Sequence, residues 1–82
     1  MEVDRRNVKK YLIENLSSIL GVDKNTLDLD ASFDDFGDEA EYKIEVLQFL
    51  ETVYDFEIDE EQGAEINTVR QAIEFVESSG VV

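Results

Sequence analysis

From Val8 to Leu20 the apolar residues Val8, Leu12, Leu16, Ile19 and Leu20 recur three or four positions apart. That spacing places them on one stripe of an amphipathic helix. The expected helix runs from about Asp4 to Leu20, and Gly21 fits its C-terminal stop. A second segment opens at Gly37-Asp38-Glu39-Ala40-Glu41, with Asp38 as N-cap and Glu41 as its capping-box partner. This helix is expected to reach about Tyr54. Ile44, Val46, Leu47, Leu50, Val53 and Tyr54 are its core candidates, and Glu41, Glu45, Gln48 and Thr52 form its polar side. Phe56 and Ile58 follow in a connector, and Glu60–Ile66 reads as a short helix. Thr68-Val69-Arg70-Gln71 repeats the capping-box pattern and opens a last helix over about Thr68–Ser79. Val22–Asp35 is left as an irregular acidic loop whose Leu27, Leu29 and Phe33 close over the bundle. The expected fold is all-α: one domain over residues 1–82, three longer helices, one short helix, and a long loop between the first two.

Eighty-two residues suffice for one modest core, since a chain of this size buries about 60–65% of the surface its unfolded form exposes. A deep catalytic cavity does not fit, and no enzymatic activity is expected. The chain has no cysteine or histidine, which excludes a disulfide framework, a thiolate nucleophile, the commonest general base and a usual zinc ligand. No apolar run approaches the roughly 20 residues that span a bilayer, and Met-Glu-Val-Asp lacks a signal-peptide core; a cytoplasmic protein is expected. The formal net charge of −14 disfavours nucleic acid and membrane surfaces as partners and favours proteins that present basic patches.

The ordered set Leu20-Gly21-Val22, Ala31-Ser32-Phe33, Asp34-Asp35, Phe36-Gly37, Ile44-Glu45-Val46-Leu47, Phe56-Glu57-Ile58 and Ile66-Asn67-Thr68-Val69 resembles the acyl carrier proteins in order and spacing. The resemblance spans about Val8 to Val76. It implies a carrier-protein-like bundle, monomeric, acting with acyl-chain-processing enzymes in or near fatty acid biosynthesis. Proteins of that family carry a phosphopantetheine arm on a serine at the start of the second long helix, in an Asp-Ser-Leu motif. Here the segment reads Glu39-Ala40-Glu41. Counting back from Thr68-Val69 puts Ala40 at the serine position; counting forward from Phe33 puts Glu41 there. Ala40 is preferred, because a one-residue deletion belongs in the loop before Gly37 rather than within a helix.

Neither residue offers the hydroxyl that forms the phosphodiester, so no covalent cofactor is expected on this chain. Phosphopantetheine would be expected only if the parent sequence had Ser at position 40. Three readings remain open. The chain is a natural carrier-like protein that keeps only fold and binding face, or an ordinary carrier protein as a Ser-to-Ala variant, or an acidic adaptor unrelated to lipids. Glu41 supports the first, since the family usually has leucine after the serine.

The resemblance makes Asp38, Glu39, Glu41, Glu45 and Glu51 candidates for docking onto basic partners, with a solvated charged face as the plain alternative. Tyr42 and Phe49, seven positions apart, either form an exposed aromatic pair for a partner or fold back over the core rim. Asp28, Asp30, Ser32 and Glu39 match positions one, three, five and twelve of an EF-hand loop. Phe33 occupies the position where that loop needs glycine, so no specific metal site is expected, only weak binding of divalent cations to the carboxylates.

Overall fold

A computed structural model describes residues 7–79. Asn7, in a non-helical conformation, caps the first helix by accepting a 3.3 Å hydrogen bond from the Lys10 amide on its side chain. Helix α1 then covers Val8–Leu20. Asp4–Arg6, placed in this helix by the sequence, lie outside the described residues. At its other end Gly21 takes the left-handed conformation, φ 74°, while its amide donates to the Ser18 carbonyl and the Val22 amide donates to the Ser17 carbonyl. This is the double closure that glycine permits at a helix C-terminus.

Three further helices follow: α2 at Glu39–Tyr54, α3 at Glu60–Ala64 and α4 at Val69–Ser78. Among the described residues there is no strand; a lone antiparallel bridge couples Ser32 to Thr68. The all-α expectation is met, with the helix ends within two residues of those expected from Leu20 onward. No helix among the described residues is long and apolar enough to cross a membrane.

The core is built from one stripe of each longer helix plus two side chains from connections. Leu12 and Leu16 of α1, Val46 and Leu50 of α2, and Val69 and Val76 of α4 are fully buried, as are Phe33 and Ile66. α1 packs against both α2 and α4. Complete burial of Phe33, a side chain worth roughly 1.5–3 kcal/mol when taken out of water, draws the long loop onto the bundle.

The loop also carries order the sequence reading did not assign. Phe33–Phe36 forms a 3₁₀ turn closed by reciprocal hydrogen bonds: the Asp34 amide donates to Ser32 Oγ at 3.3 Å, and the Ser32 amide donates to Asp35 Oδ2 at 3.0 Å. A second closed box joins Asp59 and Gln62 at the start of α3. The two boxes expected from sequence form only by half. Asp38 and Thr68 each accept from their helix amides, whereas the Gln71 side chain accepts from the Asn67 amide, one residue before the cap.

Ile44 is a correction. Expected in the core, it is 56% exposed, the one large hydrophobic side chain so exposed among the described residues. Val46, Leu50 and Tyr54 are the α2 residues that are buried. At about 100° per residue, Ile44 stands roughly 120° around the helix from their mean direction. Leu47 and Val53 flank the buried stripe and are half-buried.

Candidate functional site

The start of α2 is fixed by Gly37 and Asp38. Asp38 has extended backbone, and its carboxylate accepts from the amides of Ala40 at 3.0 Å and Glu41 at 3.4 Å, satisfying two of the four amides that a helix start leaves open. Gly37 has φ 148°, and a Cβ added there would come within 2.8 Å of a ring carbon of Tyr42. The Tyr42 ring therefore packs over the bare Gly37 backbone and closes the loop against the first turn of α2. Ala40 lies just beyond, with its methyl group exposed. Its neighbours Asp38 and Glu41 are exposed and Glu39 is half-buried.

One outward face of α2 gathers part of what the sequence proposed. Glu41, Glu45 and Gln48 are exposed, and Ile44 stands among them. The other candidates are engaged elsewhere. The Glu51 carboxylate accepts a 3.0 Å hydrogen bond from the Ile58 amide and so ties α2 to the connector before α3. Phe49 stacks on Tyr11 of α1, ring centroids 6.3 Å apart, whereas Tyr42 turns toward Gly37. Both rings are half-buried and lie against the core, as the rim alternative described. The signal for Ile44 was present in the sequence: its angular position, rather than its hydrophobicity, separates it from Val46 and Leu50.

The loop leading to this face is fastened to α4. The Arg70 amide donates to the Leu29 carbonyl at 2.9 Å, the Phe33 amide donates to the Asn67 carbonyl at 3.0 Å, and the Arg70 guanidinium pairs with the Asp30 carboxylate. Hydrogen bonding from Arg70 holds the Asp30 carboxyl below its ordinary range, and the same bond raises Arg70. From α2, Lys43 Nζ reaches Asn67 Oδ1 at 3.1 Å. Asn67 thus joins α2, the loop and the entry to α4.

Among the residues of the EF-hand match, Asp30 is paired with Arg70, Asp28 accepts from the Asp30 amide, and Ser32 caps the 3₁₀ turn. Among the described residues no three His, Cys, Asp or Glu side chains gather as a metal-holding group. Chemically, the start of α2 offers the exposed Ala40 and no hydroxyl from Asp38 to Glu41. No family model matches the chain.

Proposed function

We propose that this protein is a carrier-protein-like module that works through protein contacts in or near acyl-chain biosynthesis and carries no covalent phosphopantetheine. The observation that carries this reading is Ile44, exposed on α2 between Glu41 and Glu45 and one turn beyond Ala40. An exposed large apolar side chain with the Glu41 and Glu45 carboxylates along one side of it suits a partner that offers a small apolar pocket edged by Lys or Arg. The apolar contact would supply affinity, and the charges would supply steering and register. The ordered motifs from Leu20 to Val69, the long loop before α2 and the short α3 support assigning that partner to the acyl-chain-processing enzymes.

The test is binding of the purified chain to a panel of such enzymes bearing basic docking patches. At least one is expected to bind. Ile44→Ala and the paired reversal Glu41→Lys with Glu45→Lys should each weaken that complex by about ten-fold or more. Reversal of Glu74 and Glu77 on α4 changes net charge equally and should have less effect. No binding across the panel, or equal losses from both reversals, would reject the reading.

A second reading, an ordinary carrier protein seen as a Ser-to-Ala variant at position 40, is supported by the exposure of Ala40. A serine there would present its hydroxyl to solvent, so Ala40→Ser should accept phosphopantetheine from coenzyme A with a broad-specificity transferase, while the chain as it stands should not. Intact mass separates the two. Modification of the unchanged chain would move the site to another hydroxyl, such as Ser32. Failure of the Ala40→Ser chain would leave Glu41 as the obstacle and favour a carrier-like protein without an arm.

A further inference from the structure

The charge of this chain is unevenly placed. Arg5, Arg6, Lys9, Lys10 and Lys24 balance Glu2, Asp4, Glu14 and Asp23 at its beginning. Every other carboxylate lies beyond Lys24, where Lys43 and Arg70 are the cations. The fold puts three of the early lysines around one opening. Lys9 and Lys10 at the start of α1 and Lys24 after its end line a cleft of about 360 Å³ together with Ile13, Glu14 and Asn25. Lys24 is partly occupied by Glu14, at 3.3 Å. Lys9 and Lys10 are exposed and make no ion pair among the described residues. Half-buried Ile13 gives the cleft an apolar wall.

We propose that this cleft docks an acidic segment of a protein partner, with a carboxylate on Lys9 or Lys10 and an apolar side chain against Ile13. Charge complementarity selects the occupant. In a chain of net charge −14, two ammonium groups with no ion pair among the described residues, beside an apolar wall, match a segment in which carboxylates flank a Leu or Ile. The long-range field repels such a segment. At physiological ionic strength, however, the Debye length is about 8 Å, so a contact made at the cleft feels the lysines more than the distant carboxylates. A second face of opposite sign would fix the orientation of a partner that also engages α2, because like charges meeting in the wrong pose are penalised. The cleft shares no residue with the α2 face, so it stands or falls apart from the proposed function.

The probe is a short synthetic peptide with glutamates on either side of one leucine, titrated at physiological salt into the isotopically labelled chain and followed by amide chemical shifts. Shifts should concentrate at Lys9, Lys10, Ile13, Lys24 and Asn25. Lys9→Gln with Lys10→Gln should weaken binding about ten-fold, and Ile13→Gln should weaken it further, with helicity retained. Thr52→Glu with Ser78→Glu lowers net charge by the same amount away from the cleft and should bind more nearly like the unchanged chain. Absence of shifts, shifts centred elsewhere, or equal losses in both charge-changed chains would overturn the proposal. So would identical shifts from inorganic phosphate, since the site would then take any anion.

Discussion

A methyl group at residue 40 and a bare backbone at residue 37 stand within one turn of each other, and each decides something different. Ala40 presents a methyl group and no oxygen, so residue 40 itself can form no phosphodiester. Gly37 sets the geometry: its φ of 148° and the Tyr42 ring packed over it leave no room for a Cβ. Gly37→Ala should therefore destabilise the protein by about 1–3 kcal/mol, combining strained backbone with displacement of the ring, as urea unfolding would measure. At Gly21 nothing lies within 4 Å of an added Cβ, so Gly21→Ala should lose only the left-handed backbone term, about 1–2 kcal/mol. A second contrast follows from the outward turn of α2. Leu50→Ala should remove about 2–5 kcal/mol of stability, whereas Ile44→Ala should change it by less than about 0.5 kcal/mol. Comparable losses at both positions would return Ile44 to the core.

The elements were legible to different degrees, and the reason lies in what each signal records. α1 and α4 carry apolar stripes ended by a glycine or opened by a capping threonine, so their periodicity alone locates them. α2 is apolar over a wide arc, and there composition conceals which side faces inward; only the angular set by Val46, Leu50 and Tyr54 resolves it. The Ser32–Asp35 and Asp59–Gln62 boxes are visible as spacings, yet acidic residues are so frequent in this chain that many similar spacings compete. The fastening of the loop was not legible, because Asp30 and Arg70 are forty positions apart and no local pattern pairs them. That fastening makes its own prediction. The folded Asp30 carboxyl lies below its ordinary range, so the pair contributes fully above the unfolded aspartate value of about 3.9. Its contribution is lost as pH falls through the lower folded value. Stability curves of the unchanged chain and of Arg70→Gln should therefore stay separated from neutral pH down to about 4 and converge below it. A gap independent of pH would mean that Arg70 acts through its hydrocarbon stem alone.

At the scale of the whole molecule, repulsion among carboxylates should dominate the response to salt. The chain has 21 acidic and 7 basic side chains, and two ion pairs form among the described residues, Lys24 with Glu14 and Arg70 with Asp30. Its radius of gyration is 11.7 Å. In about 0.01 M salt the Debye length is about 30 Å, so carboxylates on opposite sides of the bundle still repel one another; at about 0.15 M it shrinks to about 8 Å, and they do not. Unfolding spreads the charges apart, so the compact state gains more from screening than the expanded one. Each kcal/mol of repulsion relieved should raise the melting temperature by roughly 4–8 °C for a domain of this size. Sodium chloride added between those two concentrations should therefore raise the midpoint, and a divalent cation should do so at lower concentration through weak binding to the carboxylates. Screening weakens the two ion pairs as well, but both are solvent-exposed and contribute little against the acidic excess. A midpoint that falls as salt rises would show that those pairs, together with the lysines around the α1 cleft, outweigh the repulsion. The acidity would then be arranged for attraction within the fold rather than held outward for partners.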